Sequence, residues 1–564
     1  MNPVILQRPA HPDAVAALRA AGLAPLLARI CAARGIAHVD QLADDLDRLH
    51  RPDGLLHAKR MAECLADCIA QRRKLLIVAD YDADGATACA VGLRGLRALG
   101  ADVHYLVPNR FEYGYGLTPE IVQLAHDTHR PDVLITVDNG IASVDGVAAA
   151  HALGMQVLVT DHHLPGDRLP DAWCIVNPNQ PGCPFPSKAL AGVGVMFYVL
   201  LALRAELKDR RALDGNGPNF AALLDLVALG TVADVVTLDD NNRRLVQQGL
   251  KRMRAGRAQP GIVALFRAAG RDPARACAAD LGYALGPRLN AAGRLTDMTL
   301  GIECLTTDDP GRAARIAQEL DALNRERRSI EADMQEAALA ALEQAACGEE
   351  YTLSLFDPEW HQGVVGIVAS RIKDRYHRPT LAFARGNDGE IKGSGRSIAG
   401  LHLRDALDLV TKRHPGLILK FGGHAAAAGL TLRETDFERF RDAFETAVRG
   451  MVSAADLERQ IETDGSLVAQ DMTLETATAL GALPWGSGFP APRFHDDFEV
   501  ADQRVVGGKH LKLRLARAGR LVDGILFGTT ETLPARIAAV YSLDVNEWQG
   551  TRRLQVCVQH WNAA

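Results

Sequence analysis

None of the ten cysteines in this 564-residue chain forms a CxxC pair, and the closest two, Cys64 and Cys68, fall one helical turn apart in an alanine-rich stretch. That spacing argues against a zinc ribbon or a disulfide framework and for buried, reduced thiols. The N-terminus, MNPVILQRPAHPDAVAAL, has no basic stretch followed by an apolar core, so no secretion signal is expected. The longest uncharged run, residues 189–203, is about 15 residues long and carries two glycines and a tyrosine. It is short for a bilayer span and suits a buried helix. A cytoplasmic protein with no membrane partner is the expectation. No Walker motif, HExxH or GxSxG nucleophile elbow is present. Nor is there an excess of positive charge. The net value of −6 argues against a chain that coats nucleic acid indiscriminately, yet leaves local basic patches open. A cluster of metal-binding carboxylates would itself make that sum more negative.

What is present is ordinary for a soluble globular protein: 48% hydrophobic and 23% charged residues. At roughly 150 residues per domain the length suggests three or four domains. Residues 1–72 read as a helical segment without identifiable chemistry. From residue 73 to about 300, short apolar strands (LLIVAD, DVHYLVP, DVLITVD, QVLVTD) alternate with helices, one opened by Thr118 as N-cap and Pro119. Strands this apolar between helices indicate a parallel sheet covered on both faces. Residues 301–350 hold a connecting helix rich in Ala, Glu, Arg and Leu. A second, smaller α/β lobe is expected over 351–452. Residues 453–564 turn to β character: in HLKLRLARAG, His510, Lys512 and Arg514 share one face and Leu511, Leu513 and Leu515 the other, as in a small barrel.

The acids carry the chemistry. Asp80, Asp82 and Asp84 follow the first of these strands, Asp138 ends DVLITVD, and Asp161, His162 and His163 end QVLVTD. In an open parallel sheet the carboxyl ends of the strands share one edge, and ligands bind in the crevice outside it. Asp234, in GTVADVV after a helix, is a fourth candidate. A single Asp after a strand is ordinarily a turn residue or a helix cap; four clusters at matching topological positions call for another explanation. Carboxylate with imidazole suits Mn²⁺ or Mg²⁺. Five or six such groups can hold two ions about 3.5–4 Å apart, the spacing used for in-line phosphoryl displacement.

In order along the chain, Asp80-Tyr-Asp82-Ala-Asp84-Gly, Thr136-Val-Asp138-Asn-Gly, Asp161-His162-His163 and Ala233-Asp234 resemble the successive motifs of the DHH phosphoesterases. Gly393-Ser-Gly-Arg396-Ser and Gly422-Gly-His424 resemble the associated DHHA1 domain. WHQGVVG at 360–366, GPRLNAAGR at 286–294 and the terminal barrel are similar, more narrowly, to the RecJ branch of exonucleases. The resemblance implies a DHH catalytic domain, a DHHA1 domain and an OB-fold. It implies Asp82, Asp84, Asp138, His162 and Asp234 as metal ligands, and His163 as a ligand or as the residue that positions one. Asp161 would orient a histidine from outside the ligand set. Other branches place a histidine where this chain has Val78, and Asp80 either fills that gap or supports the turn.

By the same resemblance, Ser394 and Arg396 form a 5′-phosphate pocket with Arg288 and Arg371 as helpers, beside Asn290 and Arg294 of the shared motif. His424 either lies at the scissile phosphate or is a loop histidine bonded to backbone; Arg371 is equally readable as a solvated helix residue. Arg110, with Phe111, Tyr113 and Tyr115, either stacks on unpaired bases or makes a hydrophobic turn. Lys509, Lys512 and Arg514 would track the DNA backbone or simply face solvent. The implied activity is 5′→3′ hydrolysis of single-stranded DNA to mononucleotides in repair and recombination, with a single-strand-binding protein and a RecQ-like helicase as partners. Two alternatives remain at this point: a small-substrate phosphoesterase acting on pyrophosphate, oligonucleotides or a cyclic dinucleotide, and a non-catalytic DNA-binding scaffold. The barrel and the phosphate-gripping lobe favour a polymer, and the intact carboxylates favour an enzyme.

Overall fold

The computed structural model describes residues 3–109, 113, 115–344, 350–548 and 550–564. It separates into two compact units, one of residues 7–322 and 463–564, the other of residues 1–6 and 323–462.

The larger unit holds the apolar strands β1 (Lys74–Ala79), β2 (Asp102–Leu106), β3 (Val133–Val137), β4 (Gln156–Thr160) and β5 (Cys174–Val176). They form one parallel sheet in the order β2-β1-β3-β4-β5. Both faces are covered. Leu76, Val78, Leu134, Val157 and Val159 pack with Ile121, Val122 and Val147 on one face. On the other, Ile77 points toward α1 (Ala83–Ala98), where Gly92 leaves room for it. The helix α1 packs in turn on α2 (Gly192–Asp209) and α3 (Leu224–Ala233). The register aligns the strand ends: Ala79 pairs with Val137, and Val137 with Thr160. The next residues of those strands, Asp80, Asp138 and Asp161, therefore emerge on one rung of the sheet's carboxyl edge.

A π-helical turn, Leu281–Leu285, leads into α4 (Gly286–Leu295). The 35-residue α5 (Pro310–Gln344) begins in this unit and continues in the other.

The smaller unit is a mixed sheet of β6 (Leu353–Phe356), β7 (Thr380–Arg385), β8 (Glu390–Arg396), β9 (Lys420–Gly423) and β10 (Ala427–Arg433), in the order β9-β10-β8-β7-β6. Only β6 and β7 run parallel. Between them α6 (Val365–Tyr376) is tied to α5 by Glu331, whose carboxylate bonds Arg327 at 2.7 Å and Arg371 at 2.8 Å.

Back in the larger unit, β11 (Phe494–Val506), β12 (His510–Arg517), β13 (Arg520–Phe527), β14 (Arg536–Trp548) and β15 (Thr551–Ala563) close a barrel in the order β11-β12-β13-β15-β14. Leu511, Leu513 and Leu515 fill its core, joined by Ile30 from the N-terminal helix Pro25–Ala32. Beside it Arg34 grips Asp464 with both nitrogens, at 2.7 and 3.0 Å, and both side chains are buried. Within residues 1–72, the Pro25–Ala32 helix and Arg34 thus buttress the barrel. That segment is not all helical: Val4–Gln7 is a strand paired with Gln460–Thr463, a partner too distant in sequence for local periodicity to reveal. Among the described residues no helix is long and apolar enough to cross a membrane.

Candidate metal centre

The turn after β1 is held open for acids. Asp82 caps α1, its Oδ1 accepting from the N–H groups of Asp84 at 2.8 Å and Gly85 at 3.0 Å. Gly85 has to be glycine, since a Cβ there would lie 2.4 Å from the Asp80 carbonyl oxygen. Asn290 of α4 accepts from the Ala83 N–H at 2.8 Å and so completes the cap from another element. Asp84 itself is buried and receives the first two N–H groups of α2, from Gly192 at 2.6 Å and Val193 at 3.0 Å. Two helix N-termini thus meet at these carboxylates and favour negative charge.

Asp138 follows β3 in a left-handed backbone conformation, φ 63°. Its side chain lies so close to α2 that a Cβ on Gly192 would sit 2.6 Å from the Asp138 Cβ. Neighbouring Asn139 donates to the carbonyls of Val78 and Val137, at 3.2 and 3.0 Å, and ties β1 to β3. Asp161 accepts three backbone N–H groups, from Ile141, His162 and His163, and its Oδ1 also lies 2.7 Å from His163 Nδ1. The carbonyl oxygens of His162 and His163 are held by Asn179 at 2.6 Å and Asn177 at 2.9 Å. Asp234 caps the C-terminal end of α3 and is only partly buried.

These side chains converge. His162 Nε2 lies 3.1 Å from Asp138, 3.5 Å from Asp234 and 3.9 Å from Asp84. Asp80, Asp82 and Asp138 form a second group, and Asp138, His162 and His163 a third, with one potential ligand atom from each residue within 4.8 Å of the others. Asp138 Oδ1 and His162 Nε2 are buried, and neither is aligned for a hydrogen bond with any group among the described residues. A divalent cation would satisfy both, and a set of carboxylate oxygens with imidazole nitrogen fits Mn²⁺ or Mg²⁺.

The protonation states show the same shortage of positive charge. Burial, and then the Asp82 carboxylate, push Asp84 up to about 7. Burial and the neighbouring aspartates hold Asp138 and Asp234 well above the usual carboxylate range. Burial and then His163 pull His162 down to about 4, leaving it neutral and able to ligate. Burial also disfavours the charged form of His163, but the hydrogen bond and charge of Asp161 outweigh it and bring that imidazole up to about 9.

The other sites expected from sequence are dispersed. Arg110 and Phe111 lie outside the described residues. Tyr113 packs against the core, whereas the Tyr115 hydroxyl lies 3.1 Å from His163 Nε2. Arg288 is buried and paired with Asp321 at 2.7 Å; Asn290 serves the α1 cap, and Arg294 sits in the last turn of α4. In the other unit, Arg371 is more than half exposed and paired with Glu331. Arg396 Nη1 donates to Ser394 Oγ at 3.0 Å and to the Gly395 carbonyl at 2.7 Å, and no carboxylate among the described residues pairs with it. A Cβ on Gly366 would lie 2.9 Å from Arg396 Nη2, so the WHQGVVG glycine clears its space. His424 is exposed, and its Nδ1 accepts from the Ala426 N–H at 3.3 Å. Lys512 and Arg514 lie on the outward face of β12, with Lys509 in the turn before it. Sequence reasoning passed over Tyr115 as a partner of His163, and over Asn139, Asn177 and Asn179. The asparagines could have been found, since each follows a strand at the same sheet edge.

Comparisons with known proteins agree with this architecture. Residues 74–231 match the DHH family, N-terminal domain; residues 348–450 match the DHHA1 domain; residues 463–560 match the RecJ OB domain. The chain is 50% identical over 553 residues to the single-stranded-DNA-specific exonuclease RecJ of Dickeya dadantii, spanning 95% of this chain and 96% of that one. It is similar in fold to crystal structures of RecJ from Thermus thermophilus. In complex with Mn²⁺ the TM-score is 0.83 at 30% identity, covering 100% of this chain and 79% of the other. In complex with Mg²⁺ it is 0.77 at 29% identity, covering 100% and 78%.

Proposed function

The chain belongs to the RecJ single-stranded-DNA-specific exonucleases of the DHH family, and we propose that it removes mononucleotides in turn from a free 5′ end at the aspartate–histidine centre. The observation that carries this reading is the meeting of Asp84, Asp138 and Asp234 around His162, with buried Asp138 Oδ1 and His162 Nε2 left without hydrogen-bond partners among the described residues. Asp84, His162 and Asp234 would hold one divalent ion and Asp80 and Asp82 a second. Asp138, 3.1 Å from His162 and grouped with Asp80 and Asp82, would be available to either ion. Such ions, when bound, supply a hydroxide nucleophile at neutral pH and offset charge on the phosphoryl oxygens.

The chain's own groups do the rest. Asp82 and the N–H groups of Gly192 and Val193 hold the carboxylates rigid, so little reorganisation is needed as charge develops. Asp161 fixes the His163 ring through its Nδ1, and so sets how that imidazole faces the centre. In the smaller unit, Arg396 and Ser394 would take the terminal phosphate as a charge-assisted pair. The outward basic face of β12 would follow the backbone of the strand. A substrate with a free single-stranded end calls for a RecQ-like helicase to open duplex and places the enzyme on strands that a single-strand-binding protein covers, in a cytoplasmic setting. A small-substrate phosphoesterase has no use for a closed barrel, and a scaffold has no use for the intact carboxylates.

Digestion of two matched single-stranded oligonucleotides with Mn²⁺, one 5′-labelled and one 3′-labelled, tests the proposal, with duplex and Asp138→Ala as controls. Immediate release of the 5′ label as mononucleotide, duplex spared and the variant inactive, is expected. Survival of long strands with cleavage of dinucleotides would replace it with the small-substrate reading.

A further inference from the structure

Among the described residues between 73 and 300, six large hydrophobic side chains are exposed: Tyr115, Leu153, Leu164, Leu169, Val235 and Tyr283. Four of them adjoin residues of the metal centre, or the end of the helix that carries one, by contact, in sequence or through packing of their segment. Tyr115 touches His163 through its hydroxyl, Leu164 follows His163, and Val235 follows Asp234. Tyr283 belongs to the π-helical turn packed on the end of α3: a Cβ on Gly282 would lie 3.3 Å from Val232, and one on Gly286 3.1 Å from Ala233 Cβ. Scattered surface hydrophobics need no explanation; four of them next to residues of a buried acidic centre, or to the helix that carries one, do.

Two of the four also carry a local conformational penalty. Val235 has φ 64°, which a β-branched residue rarely adopts, and the residue is 68% exposed, so packing does little to compensate for the strain. Tyr283 is 82% exposed on a π-helical turn, a form that redirects side chains and recurs at functional sites. Neither feature stabilises the fold.

Resting on the exonuclease reading, we infer that Val235 and Tyr283, with Leu164 and Tyr115, form an apolar rim that receives the faces of unpaired bases while the centre engages their phosphodiester. The occupant follows from the pairing of chemistries: a nucleotide brings an anion to the acidic, cation-binding centre and a flat apolar surface to the rim. In a duplex those faces are already stacked, so the rim would discriminate for single strands by contact with bases.

The test uses the full chain as wild type, Tyr283→Ala, Tyr283→Phe and Val235→Gly. The first probe is a 5′-phosphorylated strand with 2-aminopurine at its first nucleotides, bound in EDTA. Stacking should quench the fluorescence with wild type and Tyr283→Phe, and the quenching should be lost with Tyr283→Ala. The second compares, with Mn²⁺, an ordinary strand and one abasic at its first three positions. Wild type should lose about 10-fold in kcat/KM on the abasic strand, and Tyr283→Ala should treat the two alike. Val235→Gly accepts the positive φ, so its thermal midpoint should hold or rise while KM for the ordinary strand increases about 3-fold. Normal cleavage of both strands with no quenching would overturn the rim and leave the exonuclease standing. Quenching without cleavage of any strand would leave the rim standing and overturn the exonuclease reading.

Discussion

At the carboxyl edge of the parallel sheet, Asp84, Asp138 and Asp234 crowd around neutral His162, each pushed toward protonation by burial and by its neighbours. On β8 of the smaller unit the imbalance has the other sign. The Arg396 guanidinium is half-buried, its partners among the described residues are a hydroxyl and a carbonyl, and burial lowers its proton affinity. One place has excess negative charge and waits for cations; the other has excess positive charge and waits for an anion. Both are stabilised locally by dipoles, helix N–H groups in the first case and a hydroxyl with a carbonyl in the second. Dipoles of this kind hold geometry without neutralising charge. Each imbalance taken by itself matches a ligand of opposite charge: a divalent cation for the first, a phosphate group for the second.

The comparison breaks most visibly if a carboxylate is neutralised without changing its shape. Asp234→Asn should lower exonuclease turnover by roughly 10³-fold, because a ligand and its charge leave the transition state. In EDTA the same variant should melt at a higher temperature than wild type, since the crowding of negative charge is relieved. A drop in midpoint would mean that Asp234 is a structural partner. Arg396→Ala should cost about 100-fold in kcat/KM on a 5′-phosphorylated strand and far less on a 5′-hydroxyl strand. Equal losses on the two would place Arg396 away from the terminal phosphate.

Acid should act on the negative place alone. Asp84 titrates near 7 in the folded chain, above the usual carboxylate value of about 3.9. A raised group contributes stability that is complete below the unfolded value and lost as pH rises through the folded one. The metal-free protein should therefore melt higher at pH 5 than at pH 8. Because Mn²⁺ must displace that proton, its apparent affinity should fall about 5-fold between pH 7 and pH 6. Calorimetric titration across that range checks the slope, and a flat profile would mean that the ligands are ionised before the metal arrives.

How legible these regions were from sequence depends on how local their causes are. The edge acids could be read because strand, turn and helix cap lie within a few residues, and the parallel register that aligns Asp80, Asp138 and Asp161 follows from apolar strands separated by helices. Arg288 was legible as a motif residue but not as the partner of Asp321, because that carboxylate comes from α5, a separate helix. Asn290 was legible as a polar motif residue but not as the acceptor for the Ala83 N–H, 207 residues away. Tyr113 and Tyr115, two residues apart, were one cluster in the sequence and are separated by packing, the first against the core and the second toward His163. Long-range partners decided each of these cases, and composition around the residue carries no trace of them.

The smallest effect concerns the barrel, where charge is exposed and the register alone ranks the candidates. On β12, Lys512 is flanked across the sheet by Arg504 and Ile525, whereas Arg514 lies between Asp502 and Asp523. Cross-strand neighbours on one face are close enough to interact. Arg514 therefore has two carboxylates competing with any phosphate, and Lys512 has a second cation beside it and none competing. Each phosphate contact on a single strand contributes about 0.7 to the slope of log affinity against log salt. Lys512→Ala should thus weaken strand binding about 3-fold at moderate salt and reduce the slope by about that amount, while Arg514→Ala should change the slope by less. The measurement is a salt titration of binding in EDTA, where the catalytic edge has no metal to attract phosphate. If Arg514→Ala gives the larger change, the aspartates beside it orient its guanidinium toward DNA instead of neutralising it, and cross-strand register is a poor guide to which exposed cations bind.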